Sequence, residues 1–196
     1  GASNVAMGLY ALYTNTTGAS NTAIGKDALL ANETASRNVA VGHDSLTANV
    51  SGADNVGVGD SALAANTTAS NNTGLGASAL QANTTGTANT GIGRAALNAN
   101  TTADENTAVG YYALLVNTTG AKNTAVGVGY QALKLNTTGP RNTAVGTSSL
   151  TANTTGDNNT AVGENSGLSN TTGTNNTFIG QDAGEANTTG SYNTVV

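Results

Sequence analysis

Residues 106–122 read NTAVGYYALLVNTTGAK, and residues 142–158 read NTAVGTSSLTANTTGDN. Laid one over the other, they agree at the N-T-A-V-G start and again at N-T-T-G. Extending the comparison outward places an asparagine at Asn4, Asn21, Asn38, Asn55, Asn72, Asn89, Asn106, Asn123, Asn142, Asn159, Asn176 and Asn193. Every step is 17 residues except one of 19, where Val128-Gly129 reads as a two-residue insertion. Eleven full units and a partial one therefore make residues 1–196 a single repeat array. Self-similarity at a fixed short period is the mark of a stacked architecture.

Numbering the columns from that asparagine gives each position a physical character. Column four is always aliphatic, from Met7, Ile24 and Val41 to Ile179 and Val196, and column five is always glycine. Column eight is Ala or Ser. Column nine is Leu in most units but becomes Gly167 and Gly184 near the end. Columns six, seven, ten, sixteen and seventeen accept nearly anything, including Lys26, His43, Asp60, Arg94, Tyr111 and Glu164. A helical solenoid needs about 30 residues or more per unit to hold two helices and a turn. The shorter, glycine-interrupted unit predicts one coil of an all-β parallel β-solenoid, or β-roll, with short strands at T-A-V and at A-L. At about 4.8 Å per coil the array predicts a rod roughly 50 Å long. The glycine column is expected where the backbone takes positive φ or packs too tightly for a Cβ. The column-one asparagines are expected to stack as an amide ladder.

Composition sets the limits of function. The chain has 26 Gly, one Phe, no Trp and no Cys, with 9% charged residues and a formal net charge of −5. Scattered cations do not suit nucleic acid, whose phosphates need clustered ones. No apolar run approaches the roughly 20 residues that span a bilayer. No signal peptide is visible in GASNVAMGLY, so any export signal is expected outside this segment. With two large apolar residues per coil, a lone chain promises a thin core. Three coils side by side would bury both apolar columns, which predicts a parallel homotrimer. The pattern breaks off in mid-unit at both ends, which predicts a window on a longer array or an end-to-end filament.

The N-T-A-V-G units resemble the head repeats of trimeric autotransporter adhesins and the repeats of phage tail fibres. That resemblance implies a left-handed β-roll, trimerisation and attachment to a surface. Adhesin-head units are shorter and do not carry Asn-Thr-Thr-Gly in every coil, and no binding residue is transferred.

Column twelve holds Asn15, Asn32, Asn49, Asn66, Asn83, Asn100, Asn117, Asn136, Asn153, Asn170 and Asn187. The following residue varies, to Glu33 and Val50, yet the one after is always hydroxylated, as at Thr34 and Ser51. A free middle position between Asn and a hydroxyl is the tolerance of an N-glycosylation acceptor. These residues are thus expected to carry covalent N-glycans along one edge; the competing reading is an internal ladder. The N-N-T sequons at Asn71, Asn158 and Asn175 read as accidents of composition.

Little else suggests chemistry. His43 is the sole histidine, in a free column, and reads as a solvated surface residue; without Cys, a zinc site is not expected. The acids form no recurring pair, and AVGVGYQ (125–131) lacks the lysine of a phosphate loop. Tyr10, Tyr13, Tyr111, Tyr112, Tyr130 and Tyr192 could stack on carbohydrate, though their uneven spacing favours ordinary surface packing. The sequence therefore predicts no enzyme and no cofactor or metal. It predicts a glycan-bearing extracellular structural fibre, then an adhesin or tail-fibre stalk binding a host or environmental surface, then an ice-binding solenoid. Each would sit outside the cell, on a cell surface or on a virion.

Overall fold

The computed structural model describes residues 1–127 and 130–196; the inserted Val128-Gly129 lies outside the described residues. The chain is a β-solenoid. Each coil contributes one short strand, from β1 (Val5–Met7) through β7 (Thr107–Val109) and β8 (Thr124–Val126) to β12 (Thr194–Val195). The 12 strands form one parallel sheet in strict sequence order. Like pairs with like: Thr107 opposes Thr124, Ala108 opposes Ala125, and Val109 opposes Val126. The described residues form no helix, so no helix is long and apolar enough to cross a membrane.

Successive residues of a strand point to opposite faces, and that alternation sorts the T-A-V columns. The middle residue, small in almost every coil, faces inward: Ala23, Ala40, Ala108, Ala125, Ala144 and Ala161 are fully buried. Columns two and four face out. Column four was expected in the core. Instead its aliphatic side chains form an external rank, half-buried at Val109 and 43% exposed at Ile179. The interior consists of small column three, small column eight and the column-nine leucines, Leu29 through Leu150, all fully buried. A single chain therefore closes a narrow core by itself, because its inward residues are small enough for the two sides of the coil to meet.

The A-L segment is not a strand. Its backbone alternates in handedness: Tyr112 and Leu114 sit at φ 59° and 50°, as do their column mates Asp27 (58°) and Leu29 (51°). This left-handed conformation costs about 1–2 kcal/mol per non-glycine residue. Burying a leucine contributes about 1.5–3 kcal/mol, which offsets it. The alternation bends the chain into successive turns while leaving its amides free to bond the neighbouring coil. Leu97 N–H donates to Ala113 O at 3.0 Å, and Asn100 N–H closes a turn on Leu97 O at 3.1 Å. Bonds between coils thus run round much of the perimeter, beyond the sheet.

The glycine of column five meets both conditions expected of it. Gly59 lies at φ 133°, and a Cβ there would sit 2.6 Å from the carbonyl carbon and oxygen of Gly76, one coil on. Gly167 and Gly184 have a different cause. Phe178, fully buried at column three, fills the space of the missing leucines. A Cβ on Gly167 would lie 2.6 Å from its ring. One large residue at column three replaces two at column nine.

Candidate functional site

The Asn-Thr-Thr edge comes first, because the sequence places its candidate residues there. In every complete coil the asparagine points inward. Asn83 is fully buried. Its Nδ2 donates to Asn66 Oδ1 at 3.1 Å and to Gly86 O at 2.9 Å, and its Oδ1 accepts from Asn100 Nδ2 at 2.9 Å. The same ladder links Asn32, Asn49, Asn66, Asn100, Asn117, Asn136, Asn153 and Asn170, all fully buried. Only Asn15 and Asn187, on the terminal coils, are half-buried, and both still belong to the ladder.

In the folded coil the nine fully buried column-twelve asparagines leave no room for the expected glycan. A sugar would be bonded to Nδ2, the atom whose two hydrogens serve the previous coil and the turn, and no space surrounds it. The middle position is free for a different reason. The column-thirteen hydroxyl adds a bond, as from Thr84 Oγ1 to Thr101 O at 3.0 Å, but the backbone bonds without it: Glu33 N–H reaches Val50 O at 3.2 Å. Column fourteen, Thr or Ser throughout, is exposed, and its hydroxyls make no side-chain hydrogen bond among the described residues. Nothing in the fold explains the constancy of that second hydroxyl. Solvent reaches the N-N-T sequons more freely: Asn71 and Asn175 are exposed, and Asn158 is half-buried like Asn15 and Asn187 of the terminal coils; the three N-N-T asparagines all sit at left-handed φ.

Column one forms the ladder expected of it, with backbone and side chain both engaged. Asn38 N–H donates to Asn21 Oδ1 at 2.9 Å, and Asn38 Nδ2 donates to Gly52 O at 2.9 Å. Asn123 departs from the pattern: among the described residues its Nδ2 is buried without a partner.

On the surface, charges keep to columns six, seven, ten, thirteen, sixteen and seventeen, and columns two and four have none. His43 is exposed, as expected, with Nδ1 at 3.2 Å from Asp60 and 3.4 Å from Asp44. Asp27, His43 and Asp44 lie close enough to share a cation, yet Lys26 Nζ already occupies Asp27 at 3.1 Å. Arg37 forks onto Asp54 at 2.6 and 2.7 Å and holds its carboxyl below the usual range. The stacking register also gathers Arg94, Tyr111, Tyr112, Tyr130 and Lys134, a cluster that uneven spacing in the sequence concealed.

Compared with protein-family models, curated proteins and solved structures, the chain matches none.

Proposed function

We propose that this chain is a stretch of a non-enzymatic extracellular fibre that works as a stiff rod and associates with copies of itself, as in a parallel homotrimer. One observation carries the reading. The outer face of the sheet is an unbroken strip of threonine or valine beside aliphatic residues, without a charge along its whole length. Met7, Leu75, Ile92, Val162 and Ile179 are all exposed on it. A contiguous exposed patch of a few hundred Å² often marks an interaction surface.

Area favours a long array over a compact dimer. Two outward columns span about 7 Å and the rod about 50 Å, so the strip covers roughly 350 Å² per chain. A stable interface buries about 800 Å² per partner. Contact through this strip alone is therefore weak for a pair of short rods and accumulates with coil number. A threefold arrangement divides the same strip between two neighbours, so its strength also depends on coil number.

An adhesive stalk is the second reading, supported by the contrast between fixed inward columns and freely varied outward columns six, seven and ten. With the asparagines inside, the bare column-fourteen hydroxyls suit the ice-binding reading better than a glycan-coated edge would, although column two, at Val39 and Val56, interrupts a threonine rank. Sedimentation over a concentration series, with negative-stain imaging, tests the fibre proposal. Rods that associate side by side support it; globular monomers at every concentration contradict it.

A further inference from the structure

The cluster at Tyr111 gathers three aromatic rings, one more than the Tyr10–Tyr13 pair near the start of the chain. Arg94, Tyr111 and Tyr130 occupy column six of three consecutive coils, and Tyr112 and Lys134 flank them in columns seven and ten. The Tyr111 and Tyr130 rings are nearly parallel, at 5.8 Å and 12°, while Tyr112 lies 3.9 Å from Tyr111 at 35°. Arg94 Nη1 donates to the hydroxyls of Tyr111 (3.1 Å) and Tyr112 (2.9 Å), with its Cζ 5.8 and 5.7 Å from their ring centres. Lys134 Nζ lies 6.0 Å from the Tyr112 ring. Tyr130 is 45% exposed, and Tyr111 and Tyr112 are half-buried.

The electrostatics point to an anion. In a chain of net charge −5, Lys26, Arg37 and Arg141 are paired with carboxylates. Among the described residues Arg94 and Lys134 form no salt bridge. Columns six, seven and ten hold no acid from Ala77 to Thr151; the nearest in those columns are Asp60 on one side and Glu164 on the other. The two tyrosine hydroxyls bind one nitrogen of the guanidinium and fix its plane, leaving further N–H groups of its fork for a ligand.

We infer that this cluster is a binding site for an acidic sugar, a uronate of a polysaccharide, whose pyranose ring lies on the tyrosines and whose carboxylate meets Arg94 and Lys134. A neutral sugar would leave both cations without an anionic partner. Extended single-stranded nucleic acid also stacks on aromatic rings, but it needs a cationic track for its phosphates. Here acids close the patch on both sides. The site is a surface platform, so a single contact is weak, and repeated sites on associated rods would raise avidity. The inference does not depend on the fibre reading, since one isolated chain carries the whole cluster.

The test titrates the full chain with oligogalacturonate, its fully methyl-esterified form and oligo-dT. It is read by tyrosine fluorescence and by amide chemical shifts around Tyr111. The expected result is saturable binding of oligogalacturonate, with binding of the ester about tenfold weaker or lost, as a charge-assisted hydrogen bond requires. Arg94→Gln and Tyr130→Ala, both at exposed positions, should each weaken it about tenfold, the first by removing the charge-assisted hydrogen bond and the second by removing a stacking surface, with thermal unfolding unchanged. Tyr192→Ala, an exposed tyrosine outside the cluster, should bind like wild type. Equal binding of acid and ester, tighter binding of oligo-dT, no saturable binding, or full binding by both cluster variants would overturn the proposal.

Discussion

The three residues Asn83, Thr84 and Thr85 have three different environments, so alanine at each should give three different results. Asn83→Ala deletes three buried hydrogen bonds. Gly86 O keeps a second donor, Asn72 Nδ2 at 2.9 Å, and Asn100 Nδ2 keeps Ala103 O at 3.0 Å. Asn66 Oδ1 is left buried without a donor. At about 1 kcal/mol for each of the two bonds whose partners keep another, plus about 1–3 kcal/mol for the stranded acceptor, the loss is roughly 3–5 kcal/mol. Thr84→Ala removes one half-buried bond to Thr101 O, about 1 kcal/mol. Thr85→Ala removes an exposed hydroxyl and should stay within about 0.5 kcal/mol. Stability in a solenoid is local and passed between neighbouring coils, so native-state hydrogen exchange of the flanking amides is the suitable assay. Protection around Asn83 should fall by roughly two to four orders of magnitude in the first variant. It should fall by less than about one order in the second and hardly change in the third. If Thr85→Ala proved the most damaging of the three, or Asn83→Ala the mildest, the inward ladder would be wrong.

Other expectations follow from single positions. Gly59→Ala should cost about 3 kcal/mol or more, because its Cβ meets the Gly76 carbonyl. Gly180→Ala, with nothing nearer than Ala183 Cβ at 3.9 Å, pays only for its φ of 123°; thermal unfolding of the pair should rank them in that order. Phe178→Ala should cost about 3–5 kcal/mol by opening a cavity. Adding Gly167→Leu and Gly184→Leu should recover most of it, whereas the two leucines alone, facing the intact ring, should destabilise; denaturant midpoints of the set test this coupling. Arg37 stabilises the charged form of Asp54, so any contribution of that pair is present above the ordinary carboxylate pKa and lost as pH falls through the lower folded value. In Arg37→Gln the carbon-13 titration midpoint of the Asp54 carboxyl should move up.

The period, the glycine column and the column-one ladder were legible because each depends on one residue's own stereochemistry or on its copies one coil away. Two features were not. Column four reads as core by hydropathy, but the period of two that places Ala108 inside puts Val109 outside. Small residues at column three were the available signal, since only they let the coil close. The Asn-Thr-Thr triplet has the residue types of a sugar acceptor. Distinguishing that role from a ladder required knowing which way the asparagine points. The tyrosine cluster was obscure because three separate units supply it, and only stacking brings Arg94, Tyr111 and Tyr130 together.

Disulfide cross-linking at Val109 addresses the central claim most directly. The native chain has no cysteine, so Val109→Cys supplies a unique thiol on the outward strip, and Thr119→Cys supplies a control on the exposed Asn-Thr-Thr edge. Like residues can oxidise to a disulfide only if their Cα atoms approach to about 4.4–6.8 Å. A rod associating in parallel through columns two and four predicts rapid same-residue cross-links at position 109 and none at position 119. Cross-links at position 119 with a free thiol at position 109 would contradict the account.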